Sequence, residues 1–200
     1  MTDMPTTGRY TPDVPIPDGW EQTSSETETM FNAMVVTVRA HTTVLEDTRL
    51  RETIRDRTGM DGTWRFFFAS RLRFRPKTGM SRTLSRYVTE RANDGFVSQL
   101  RERGFHDVET TDSRRFAVGK SEADLTQYRA HVVMTTDAER SVDVTAEGCL
   151  AVWPTDGGFL LAGGAYPLTV ESGVLDGTVE TFLAPETHRE ELLEMIRSVE

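Results

Sequence analysis

The segment from Val142 to Pro167, VDVTAEGCLAVWPTDGGFLLAGGAYP, constrains the fold more than any other stretch of this 200-residue chain. It holds a strand pattern, a turn signal and a second apolar run in immediate succession. Side chains alternate across a strand. Val142, Val144, Ala146, Gly148, Leu150 and Val152 therefore share one face, and Asp143, Thr145, Glu147 and Cys149 the other. Pro154 is expected to end this arm, because proline cannot donate to a ladder. Asp156-Gly157 predicts a tight turn, since both residues tolerate positive φ, and Phe159 to Ala162 returns as the second arm.

A second strand pattern runs from Thr63 to Arg75. Trp64, Phe66, Phe68, Leu72 and Phe74 fall on one face, interrupted only by Ser70, and Arg65, Phe67, Ala69, Arg71, Arg73 and Arg75 on the other. Alternation over so many residues marks a core-facing strand, and Pro76 stops it. Upstream, the pattern predicts a short strand near Trp20 to Ser24 and a longer one from Thr29 to Leu45, in which Met34, Val36 and Val38 alternate with Val35, Thr37 and Arg39. Asp47 or Thr48 can cap a helix through Arg57, with Gly59 as its stop.

Helical spacing follows. Met80, Leu84, Tyr87, Val88, Ala92, Phe96 and Leu100 predict an amphipathic helix over about 81–103, with Asn93-Asp94-Gly95 as a weak point and Gly104 as the C-terminal stop. Short strands are expected at Val108–Thr111, Arg115–Val118 and Tyr128–Thr135, and further ones at Leu168–Val174 and Val179–Leu183. Thr187-x-x-Glu190 reads as a capping box for a last helix whose stripe is Leu192, Leu193, Met195, Ile196 and Val199. Strands joined in meanders around one long helix imply an α+β domain, an antiparallel sheet packed by helices. Residues 1–17, with four prolines, read as a flexible or loosely docked arm ahead of a single domain over 18–200.

The chain carries 32 acidic and 23 basic residues, and only Lys77 and Lys120 are lysines. Excess negative charge, with Arg in place of Lys, is what keeps a protein dispersed in concentrated salt. The charge is uneven: residues 61–94 sum to +5 and residues 137–200 to −10. No apolar run is long enough for a transmembrane helix, and the N-terminus lacks a signal-peptide pattern. The expectation is a soluble, cytoplasmic protein with no membrane association. A lone Cys149 cannot form an intramolecular disulfide and reads as a small buried hydrophobe.

No catalytic, cofactor or metal motif is present. His41, His106, His131 and His188 are scattered without ligand spacing, and no nucleophile elbow, phosphate loop or dinucleotide fingerprint occurs. The pairs Gly157-Gly158 and Gly163-Gly164 read as turn and bulge geometry. One surface is distinctive: Arg65, Arg71, Arg73, Arg75 and Lys77, continued by Arg82 and Arg86, form a candidate anion or partner face. Trp153 is a candidate partner anchor, since aromatic residues are enriched at interfaces. Phosphate contacts weaken with salt at a log–log slope of about −0.9 each, so four of them lose on the order of 10⁴ in affinity between about 0.2 M and 3 M. Nucleic acid is therefore a disfavoured partner for this face.

The words PIPDGW, RERGF, TAEGCLAVWPTDGGFLLAGGAYP and REELLEMIRSVE follow an order similar to that of the MOG1/PsbP-like sandwich, across roughly residues 15–199. The acidic, lysine-poor text resembles uncharacterised families of halophilic archaea. The first resemblance implies a non-catalytic interaction or assembly module with a protein partner, without cofactor. Polyanion binding through the Arg face, and a small-ligand or catalytic site assembled only in three dimensions, are the alternatives.

Overall fold

The computed structural model describes residues 11–33, 36–77, 79, 81–135, 141–172 and 176–200. The first ten residues of the arm, Met34, Val35, Met80 and Val174 lie outside the described residues. Two antiparallel meanders meet in one seven-stranded sheet. The first consists of β1 (Trp20–Ala33), β2 (Val36–Asp47) and β3 (Phe66–Arg75). The second consists of β4 (His106–Val118), β5 (Ser121–Thr135), β6 (Ser141–Thr155) and β7 (Gly158–Ser172). The long helix α2 (Arg82–Glu102) carries the chain from β3 to the far edge, so that β7 returns beside β3 and the order is β1-β2-β3-β7-β6-β5-β4.

The α+β architecture is the one the patterns imply, but the central strand β7 and its neighbour β6 are buried on both faces. Leu150 and Val152 pack under α2, while Cys149, Ala151 and Trp153 pack on the opposite side, against α4 (Pro185–Arg197). A third cluster, of Ile54, Met60, Trp64, Val142, Val144, Val170 and Val179, closes one end of the sheet beneath α1 (Thr48–Thr58) and α3 (Asp176–Glu180). The N-terminal residues from Thr11 onward share the α4 side. Pro12 is buried, Val14 packs against the core, and Asp13 and Glu200 exchange two backbone hydrogen bonds at 2.9 and 3.1 Å.

Several local expectations are corrected. β1 runs to Ala33 and pairs with β2 from Trp20↔Asp47 to Ala33↔Val36, so the predicted Thr29–Leu45 strand is two strands of a hairpin. Pro154 lies inside β6, opposite Phe159. The β5 pairing ends at Asp124↔Val152, so the missing N–H forfeits no ladder bond on that side. The separate strands expected in 108–118 merge into β4, and Leu168 belongs to a continuous β7. Val179 is in α3, and Phe182 and Leu183 follow it in a turn rather than a strand. The last helix starts at Pro185, not at a Thr187 cap: proline at the first helical position brings its φ already set, and Ala184 makes no side-chain cap bond.

α1 is capped as its sequence implies, by Asp47 accepting from the Leu50 N–H at 2.9 Å and by Gly59 at its end. α2 is unbroken through Asn93-Asp94-Gly95. One local and one tertiary bond offset the weak propensity: Asn93 donates to the Thr89 carbonyl one turn back at 2.9 Å and accepts from the Tyr128 hydroxyl of β5. The helix ends in a two-bond C-terminal cap with Gly104 at φ 91°. The Gly104 N–H bonds Arg101 and the Phe105 N–H bonds Leu100, each at 3.0 Å.

Gly157 takes the turn at φ 80°, but Gly163-Gly164 sits in mid-strand, away from any bulge. A Cβ at Gly163 would fall 2.3 Å from the Cys149 carbonyl oxygen, and one at Gly164 2.1 Å from that of Phe66. Close backbone approach, and not turn or bulge chemistry, requires glycine at this pair.

Candidate ligand pocket

The even-numbered side chains of β3 face α2, and the helix crosses them without filling the space. Phe96 anchors it, meeting Tyr128 of β5 at 5.4 Å between ring centroids and Phe68 of β3 at 5.7 Å. Between α2 and the β1–β3 meander lies a cavity of about 580 Å³. Phe68, Phe74, Leu84, Val88, Phe96 and Leu161 supply most of its apolar lining. That volume falls within the range of about 300–1,000 Å³ found for small-molecule sites.

Small residues keep it open. Ala40 on β2, Ser70 on β3, and Ala92 and Gly95 on α2 all line the cavity. A Cβ added at Gly95 would meet nothing within 4 Å. A helix-interior glycine costs about 1 kcal/mol against alanine, so both the glycine and the hollow beside it are destabilising on their own. The polar groups in the wall are few. The Thr42 and Ser70 hydroxyls, cross-strand partners on β2 and β3, bond each other at 2.9 Å. Glu28, Arg91 and Gln99 complete the polar lining, and Arg91 lies 3.5 Å from Asp94 and 5.6 Å from the centre of the Tyr87 ring. Met30 and Tyr87, at 60% and 57% exposure, are large apolar residues of this lining that face solvent.

The opposite sheet face carries the arginine row, and the structure divides it. Arg65 is 4% exposed. Its guanidinium bonds Asp47 at 2.8 Å and Glu191 at 2.6 Å and lies 5.0 Å from the centre of the Trp20 ring. It is an internal ion-pair residue and leaves the candidate anion face. Lys77 pairs with Asp156 at 2.9 Å. Arg71 and Arg73 stand cross-strand from His41 and Arg39, with Arg75 beyond them. Burial, then Arg73, Arg39 and Arg71, hold the His41 ring below its ordinary pKa, and burial followed by Arg73 lowers Arg71. Trp153 is 3% exposed and part of the core beneath α4, so it is not a surface anchor.

Beside Arg65, at the start of α4, the Tyr166 hydroxyl donates to Glu147, Arg189 lies 3.8 Å from the same carboxylate, and the His188 ring meets Tyr166 edge-on at 6.5 Å. Cys149 is buried here and burial, then Glu147, push its thiol up to about 12, so it presents no thiolate nucleophile. Burial, then Arg65, hold His188 down to about 4, a neutral ring in the core. Among the described residues no group of three or more His, Cys, Asp or Glu could hold a metal ion, and no helix is long and apolar enough to cross a membrane.

The fold and site define an antiparallel α+β domain with an apolar pocket between one helix and half of its sheet. The chain belongs to a family described as a domain of unknown function, DUF6517, whose model matches residues 12–200. Neither a curated protein nor a solved structure matches it.

The pocket was not inferred from sequence, yet two irregularities pointed to it. Ser70 breaks the aromatic row of β3, and Gly95 breaks the helix pattern of α2. Both line the same cavity.

Proposed function

We propose that the protein binds a small, predominantly apolar molecule between α2 and the β1–β3 meander. The observation that carries this reading is a cavity of about 580 Å³ lined by the small residues Gly95, Ala92 and Ala40, with open space beyond Gly95. Protein interiors are normally packed to crystal density. A hollow this large adjoining the core leaves unpaired contacts that a ligand would restore.

Composition supports the further reading that binding takes place in concentrated salt. There the Debye length shrinks to about 3 Å at 1 M, which weakens exposed ion pairs and spares apolar contact. The same argument ranks the cavity above Arg71, Arg73 and Arg75 as the recognition site. The interaction-module reading and the MOG1/PsbP-like resemblance gain no residue from the family match, and the loss of Trp153 as an anchor removes one support.

The test is titration with the neutral fluorophore N-phenyl-1-naphthylamine, whose emission rises on entering an apolar site. One-to-one binding is expected, and Gly95→Leu should abolish it without lowering the unfolding midpoint. A wild-type protein that gives no saturable signal would refute the proposal.

A further inference from the structure

From the wall of the same cavity we infer that the ligand is an amphiphile with a neutral oxygen head group, an alcohol or a ketone, seated at Ser70 and Thr42. The inference rests on the pocket being a binding site and adds the chemistry of its occupant. Two hydroxyls bonded to each other use one O–H as donor and leave the second without an acceptor among the described residues. Ser70 is 6% exposed, so the pair is set into an apolar wall between Phe68 and Leu72 on the same strand face. A ligand oxygen accepts the spare O–H, and a ligand hydroxyl can also donate back to either side-chain oxygen.

A charged head group fits this position poorly. An ionised carboxylate deep in an apolar site needs a cation to offset its lost hydration. The cationic side chain of the wall is Arg91, on α2, which already lies 3.5 Å from the Asp94 carboxylate. Glu28, on β1, places a negative charge in the same lining. The tail then has Phe68, Phe96, Leu84, Val88 and Leu161 to lie against.

Displacement of N-phenyl-1-naphthylamine by decan-1-ol, 2-decanone and decanoate at pH 8 tests this with matched chain lengths. Decan-1-ol and 2-decanone should bind at least about tenfold more tightly than decanoate. The double variant Thr42→Val/Ser70→Ala should weaken decan-1-ol about five- to tenfold, the loss expected of one or two neutral hydrogen bonds. An unchanged far-UV circular dichroism spectrum and a cooperative urea transition report that the variant is folded, and Thr42→Ser should keep the wild-type affinity for decan-1-ol.

Stronger binding of decanoate, lost in Arg91→Gln, would overturn the inference in favour of a charged head held by that arginine. Unchanged decan-1-ol affinity in the double variant would overturn it in favour of a purely apolar ligand with water at the hydroxyl pair. If the fluorophore binds and none of the three displaces it, the head-group inference fails while the pocket stands. If the fluorophore does not bind at all, the pocket reading itself fails.

Discussion

Replacement of His188 by phenylalanine should flatten the acid limb of the stability profile. The His188 ring is 6% exposed, its Nδ1 has no hydrogen-bond partner, and it sits edge-on to Tyr166 within reach of the charges of Arg65 and Glu191. Burial is the main reason its pKa falls from 6.5 to about 4, with Arg65 adding to the fall and Glu191 opposing it. The sign follows from proton counting: between those values the unfolded chain holds a proton on this ring and the folded chain does not. Stability from the neutral ring is therefore complete above pH 6.5 and is lost as pH falls toward 4. Each pH unit across that interval is worth about 1.4 kcal/mol. Between pH 7 and pH 4.5 the wild type should lose about 2.5 kcal/mol more than His188→Phe, and carboxylate titrations common to both proteins cancel in the comparison. Urea unfolding at the two pH values, with m checked for constancy, measures the difference directly. Parallel losses in the two proteins would show that the ring is already charged or exposed in the folded state.

Three further perturbations read other parts of the structure. Gly164→Ala places a methyl 2.1 Å from the Phe66 carbonyl oxygen, near the Phe66 end of the β3–β7 seam. It should cost about 3 kcal/mol, a fall of about 6–12 °C in Tm for a chain of this size, and a Tm within two degrees of wild type would refute the close approach. Arg65→Met and Arg71→Met, six residues apart on one strand face, should act in opposite directions. The first strands Asp47 and Glu191 and costs about 3–5 kcal/mol, while the second relieves like charge and leaves stability unchanged or raised, as equilibrium unfolding of both will show. If the acidic surface is a salt adaptation, the unfolding midpoint should climb as KCl is raised into the molar range, and a flat profile would remove that reading.

The sheet was legible where one physical rule governed a segment. Alternation located β3 to within a few residues, the Asp156-Gly157 turn fixed the β6–β7 hairpin, and the Leu192–Val199 stripe marked α4. Errors arose where two rules competed. β1 ends at Ala33 and β2 begins at Val36 within an apolar text, so alternation ran across the boundary and read two strands as one. Val179 to Leu183 has strand-like composition, but Val179 is wholly buried against the α1 end of the sheet, and that contact is available to a helical turn. Nothing in local sequence distinguishes Arg65 from Arg71. Arg65 lies in the register that meets Asp47 and Glu191, and Glu191 is 126 residues away in the chain.

The cavity was illegible for a different reason. Periodicity reports which face of an element is apolar, not whether the facing elements touch. Phe68, Leu72 and Phe74 look alike in sequence whether a helix packs down on them or stands off. Standoff has its own signature, small or polar residues at positions the pattern reserves for large apolar ones, and Ser70, Ala40, Ala92 and Gly95 meet it from three separate elements. Any one of them is unremarkable. Their convergence on one hollow is visible only once β2, β3 and α2 are brought together. In concentrated salt such a site has an added advantage over the Arg71–Arg75 row. The binding proposed there rests on apolar area and uncharged hydrogen bonds, which salt does not screen, whereas the row loses attraction with every added ion.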